Sequence, residues 1–148
     1  VAGVADLDIT DFVNEISSPG TAGSIALSSD AYTGREALAG AASPERLTIA
    51  AVRSGGDTGA VSVTYSTAAG RGSLAAAGGD YTEVNNGVIR WADGETGTKT
   101  FDLLLPPDGA TNLFEPNETF GLMIERATNG AVLGDRQGAV ITIVDSLA

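Results

Sequence analysis

Short apolar runs that alternate residue by residue, each broken off by a turn rich in small residues, constrain this chain more than any other feature. Seven such runs stand out, at residues 24–33 (SIALSSDAYT), 46–53 (RLTIAAVR), 60–67 (AVSVTYST), 87–92 (GVIRWA), 98–105 (TKTFDLLL), 118–126 (ETFGLMIER) and 138–145 (GAVITIVD). Val61, Val63 and Tyr65 share one face of the third run, and Phe101, Leu103 and Leu105 one face of the fifth. Phe120, Leu122 and Ile124 repeat the pattern in the sixth. No window sustains the i, i+3, i+4, i+7 spacing of a long amphipathic helix. Twenty glycines supply the connections, in turns such as Ser54-Gly55-Gly56-Asp57 and Asp93-Gly94-Glu95. The pattern predicts an all-β chain, a seven-stranded antiparallel β-sandwich.

The 148 residues suit one domain, large enough to bury about two-thirds of its unfolded surface without a disulfide or structural zinc. Residues 21–148 form the predicted sandwich. Residues 1–20 fit it poorly, and they read as a linker, an extra strand or the tail of a preceding module. The stretch 68–79 (AAGRGSLAAAGG) cannot build a core and is expected to be a mobile loop. The chain opens on Val1, so it reads as a piece of a longer protein. No segment approaches the roughly 20 apolar residues of a membrane span, so no membrane insertion is expected. The N-terminus carries no basic region followed by an apolar run.

Neither Cys nor His occurs. That removes thiol and imidazole nucleophilic catalysis, haem ligation by His, and zinc held by either residue. Oxygen ligands and carboxylates remain. With 19 Asp and Glu against 8 Lys and Arg, the formal charge is −11, which argues against nucleic acid or an anionic membrane as partner.

If consecutive strands run alternately up and down, residues 34–45, 68–86 and 106–117 and the chain after the last strand share one end, the top. Into or beside these connections fall Glu36, Asp80, Asp108, Glu115, Glu118 and Asp145. The other end receives Asp57, Asp93, Glu95 and Asp135. Glu118 is in register with Phe120, Leu122 and Ile124, and Asp145 with Ile141 and Ile143, so both point inward at the top rim. An inward carboxylate without a partner costs several kcal/mol. Arg35, Arg46 and Arg71 lie in or beside the top loops and can pair with one or two acids, hardly six. A hard divalent cation coordinated by 6 to 8 oxygens suits the set, and Ca²⁺ tolerates irregular loops better than Mg²⁺.

The residues also resemble a known family. Gly79-Asp80-Tyr81, Glu115-Pro116-Asn117-Glu118-Thr119-Phe120 and Ala139-Val140-Ile141-Thr142-Ile143-Val144-Asp145 resemble motifs of the Calx-β domain, an immunoglobulin-like sandwich module of sodium/calcium exchangers and bacterial surface proteins. Residues 47–56 with 61–67 are similar to its second and third strands, and 32–36 to its first strand ending in Glu. The resemblance spans residues 24–145. It implies calcium ligands at Glu36, Asp80, Asp108, Glu115, Glu118 and Asp145. The family's acidic pair is reduced here to Pro107-Asp108 and its terminal acidic run to Asp145-Ser146, which implies one or two Ca²⁺ ions. For an extracellular module, a dissociation constant on the order of 0.1 to 1 mM is ordinary.

The expected function is a non-enzymatic, calcium-binding module of a larger secreted or cell-surface protein. Calcium would stiffen the top loops and set the orientation of neighbouring modules. The alternative is a metal-independent adhesion or spacer domain that recognises a protein or glycan. A glycosidase-like pair at Glu115 and Glu118 would need an aromatic-lined cleft, and one Trp, three Tyr and four Phe are few for that purpose. Gly70-Arg71-Gly72 lacks the Lys-Ser/Thr and helix of a phosphate loop, and the sequon Asn117-Glu118-Thr119 overlaps a candidate ligand.

Overall fold

The computed structural model describes residues 20–69, 80–107 and 115–145. Its strands are β1 (Ser24–Leu27), β2 (Ala31–Arg35), β3 (Glu45–Ser54), β4 (Val61–Ala69), β5 (Gly87–Trp91), β6 (Gly97–Leu105), β7 (Glu118–Glu125), β8 (Val132–Leu133) and β9 (Gly138–Val144). They form a sandwich of a four-stranded sheet, β6-β3-β1-β8, and a five-stranded sheet, β2-β9-β7-β4-β5. The described residues contain no helix, and so none long and apolar enough to cross a membrane.

The class matches the expectation, but the described strands number nine, not seven. The first predicted run is two strands in different sheets. It breaks at Ser28-Ser29-Asp30, where Ser29 Oγ donates to the Ala31 carbonyl at 2.9 Å and the Ser28 and Tyr32 hydroxyls meet at 2.7 Å. These local bonds replace ladder bonds and let the chain cross between sheets. The two-residue β8 has too little alternation to be read from sequence. Nor is the pairing wholly antiparallel, since β1 runs parallel to β8 and β2 parallel to β9. The chain enters β2 by crossing from the other sheet and not by a hairpin, which permits the parallel pairing. Ala68 and Ala69, expected in a mobile loop, belong to β4. Residues 1–19 and 70–79 lie outside the described residues.

Alternation packs the core as the sequence implies. Val61, Val63, Leu103, Leu105, Phe120, Leu122, Ile124, Ile141 and Ile143 are all buried between the sheets, each contributing about 1.5–3 kcal/mol if fully removed from water. Trp91 is buried too, and its Nε1 donates to the Gly97 carbonyl at 3.0 Å. Gly34 lies where β2 crosses the four-stranded sheet. A Cβ there would come within 2.7 Å of Leu105 Cδ1.

The bottom of the sandwich is closed by Arg53, which is 1% exposed. Its Nε donates to the Ala22 carbonyl (2.9 Å), its Nη1 to those of Glu95 (2.9 Å) and Ala92 (3.3 Å), and its Nη2 to those of Gly59 (2.9 Å) and Thr58 (3.1 Å). All five guanidinium N–H donors are thereby used. Three stretches remote in sequence hang on this one side chain.

Candidate functional site

The strand directions place the ends of β2, β4, β6 and β9 and the starts of β3, β5 and β7 at one end of the sandwich. This is the end the up-and-down bookkeeping named the top. β2 and β9 run parallel with Arg35 opposite Val144, and the Glu36 N–H donates to the Val144 carbonyl at 3.1 Å. That register carries Glu36 and Asp145 out side by side. They are 7% and 4% exposed, two buried carboxylates at one rim. The Glu115 N–H donates to Asp145 Oδ2 at 2.6 Å, and Arg35 Nη1 donates to the Asp145 carbonyl at 3.3 Å.

Glu118 opens β7, paired with Ile143, on the side of the strand that continues into buried Phe120. Asp80 reaches the same place because Tyr81 is anchored in the core, its ring stacked on Phe120 with centroids 3.9 Å apart. Burial pushes the Glu118 carboxyl up to about 7, helped by the negative charge of Asp80, a hydrogen bond with it, and the charges of Glu115 and Glu36. Glu36, Glu115, Glu118 and Asp145, with Ile143 and Pro116, line a cavity of about 10 Å³. That is space for about one water-sized sphere.

Five of the six sequence-predicted ligands therefore gather at this end. Asp108 lies outside the described residues. Sequence reasoning missed the isolated parallel bridge between Ala37 and Pro107, which ties the start of the β6–β7 loop to the chain just after Glu36. Of the three arginines expected in or beside the top loops, Arg46 sits 3.6 Å from Asp102 on the exposed face of the four-stranded sheet. Position 46 points outward because Leu47 takes the inward side of β3.

The acids of the other end behave differently. Asp93 Oδ1 accepts from the Gly59 N–H at 2.8 Å, and Glu95 Oε1 from the Ala92 N–H at 2.9 Å while Oε2 pairs with Lys99 Nζ at 3.0 Å. Those carboxylates close turns; at the top, Glu118 is hydrogen-bonded to Asp80 and feels the charges of Glu115 and Glu36, while Asp145 accepts from the Glu115 N–H. Converging carboxylates, two of them buried, form an all-oxygen anionic donor set whose chemistry fits a hard divalent cation. Among the described residues, no three side chains already stand together as a metal cage.

Among solved structures, the chain is similar to the apo-form Calx CBD1 domain, with a TM-score of 0.66 and 23% identity over 82% of this chain and 96% of that one. It is similar to the calcium binding domain CBD12 of CALX1.1, with a TM-score of 0.67 and 23% identity over 83% of this chain and 46% of that one. A Bacteroides ovatus protein named as a candidate carbohydrate binding protein matches with a TM-score of 0.60 and 11% identity, over 82% of this chain and 36% of that one. No family model matches the chain, and no curated protein matches its sequence. The fold is Calx-β-like.

Proposed function

We propose, with the Calx-β-like fold as premise, that this chain is a non-enzymatic calcium-binding module of a larger secreted or cell-surface protein. The observation that carries the reading is the single cavity lined by Glu36, Glu115, Glu118 and Asp145, with Asp80 bonded to Glu118 at its rim. Four carboxylates offer up to eight oxygens, the range Ca²⁺ accepts. Bound calcium would supply positive charge where these groups now repel one another. Glu36 and Asp145 are held by the β2–β9 ladder and form the fixed half of the site. Glu118 opens β7 and Glu115 stands three residues before it, so calcium would join the start of β7 to the ends of β2 and β9. A top end made rigid in this way would hold a neighbouring module at a defined angle.

Thermal unfolding in EDTA and in millimolar Ca²⁺ tests the reading. Calcium at 100 times its dissociation constant should add about 2.7 kcal/mol. Equal midpoints would remove the calcium claim.

A metal-independent adhesion role is the second reading. It is favoured by the outward face of the five-stranded sheet, where Val88, Met123 and Val140 are 42%, 51% and 54% exposed among Ser and Thr side chains. On that reading Glu118→Gln leaves the unfolding midpoint in calcium unchanged.

A further inference from the structure

At the end of the sandwich opposite the carboxylates, a cavity of about 460 Å³ opens beside the start of β4 and the end of β5. Its volume lies in the range of small-molecule sites. Its polar wall is built from Ser62, Arg90, Glu95, Thr128 and Asn129, and the buried Trp91 forms part of its apolar side.

The wall is pre-formed. Ser62 and Arg90 are cross-strand partners on the outward face of β4 and β5. Thr128 continues the row, since its N–H donates to the Ser62 carbonyl at 3.0 Å and its Oγ1 accepts from the Ser62 N–H at 2.8 Å. Asn129, held at φ 53°, donates from Nδ2 to the Ala60 carbonyl at 2.6 Å, which leaves its Oδ1 to accept. Arg90 makes no hydrogen bond or ion pair with the described residues, so its guanidinium donors are available at the rim. Glu95 is occupied by Ala92 and Lys99 but retains lone pairs.

One cation and one anion give this cavity no net charge, within a chain of net charge −11 that disfavours anions. The Ser62 and Thr128 hydroxyls bond each other at 2.9 Å, so the groups the wall offers a ligand are the Arg90 donors and the acceptors Asn129 Oδ1 and Glu95, beside an apolar floor. A ligand that matches carries a hydroxyl, both donor and acceptor, at successive positions on a compact ring with apolar C–H faces. We propose that this cavity binds a neutral saccharide, independently of the calcium site.

Trp91 is the chain's single tryptophan and lies buried behind this cavity, so a change in its emission reports an occupant of the wall in front of it. The test is a titration of the whole chain in EDTA with methyl glucoside, methyl galactoside, methyl mannoside and N-acetylglucosamine, with galacturonate as the charged comparator. The expected result is a saturable emission change with at least one neutral sugar, and a weaker one with galacturonate. Arg90→Gln should weaken binding at least about tenfold, as loss of a hydrogen bond to a charged group implies. Ala60→Leu, which fills the cavity from an exposed position, should abolish it. The two substitutions lie on different segments, so if one disturbs folding the other still decides. No saturable change with any neutral sugar, or unchanged affinity in a folded Arg90→Gln or Ala60→Leu variant, overturns the proposal. Retention of binding in EDTA keeps the outcome separate from that of the calcium reading.

Discussion

Tyr81 lies flat against Phe120, with ring planes 4° apart, and the residue before Tyr81 and the residue two before Phe120 are the hydrogen-bonded carboxyl pair Asp80 and Glu118. The stack anchors in the core two chain segments whose acids meet at the surface. The buried aromatic pair holds the two carboxyl groups together, an arrangement that a shared proton relieves at low pH and a cation would relieve once both are ionised.

Tyr81→Leu should therefore have two effects. Loss of stacking and of buried volume should cost about 2 kcal/mol in urea unfolding. Although Tyr81 is not a candidate ligand, the apparent dissociation constant for calcium should also rise, because Asp80 loses its anchor. A destabilised variant with unchanged calcium affinity would show that Asp80 does not contribute to the site.

Glu118→Gln removes one negative charge from the crowded rim and retains the shape of the side chain. In EDTA near pH 8 the variant should be at least as stable as the wild type. The midpoint increase produced by millimolar calcium should disappear.

The raised Glu118 carboxyl sets a pH window. Between 4.5 and about 7, the folded chain holds a proton that the unfolded chain has released. Stability in EDTA should therefore be greatest at the acid side of this window, fall as pH rises through it, and level off above it. Calcium competes with that proton, so its affinity should strengthen over the same interval. Denaturant midpoints from about pH 5 to about pH 8 measure the slope, which should be shallower in Glu118→Gln. A wild-type slope of the opposite sign would contradict this account.

Arg53→Met leaves five partly buried carbonyls at the bottom of the sandwich without their donor and should cost about 3 kcal/mol or more. Arg53→Lys restores up to three donors and should fall between the two. In both variants that fold, the calcium-induced increase should persist, because the site lies at the other end.

Much of the architecture was legible because alternation with period two specifies which side chains face inward, and here it located Val61, Phe120, Ile141 and the inward position of Asp145. Strand direction then placed Glu36, Asp80, Glu115, Glu118 and Asp145 at one end, and the antiparallel ladders together with the parallel β2–β9 pair agree with it. The crossing at Ser28-Ser29-Asp30 was not legible, because a polar interruption inside an alternating run looks the same whether the chain continues in one sheet or passes to the other. Arg53 was missed for a related reason. An arginine near the end of a strand reads as solvated, and only the fold brings carbonyls of residues 22, 58, 59, 92 and 95 around it. The partner of Arg46 was likewise not legible, since Asp102 lies on the neighbouring strand β6 of the same sheet and is remote in sequence.

Calorimetric titration of Ca²⁺ into the chelator-treated chain near pH 8 is the most direct test. The expected result is saturable binding of one or two ions per chain, with a dissociation constant on the order of 0.1 to 1 mM, abolished in Glu118→Gln and retained in Arg90→Gln. A folded wild-type chain that takes up no calcium, or that binds it equally well after Glu118→Gln, would contradict the assignment of the carboxylate end as a cation site.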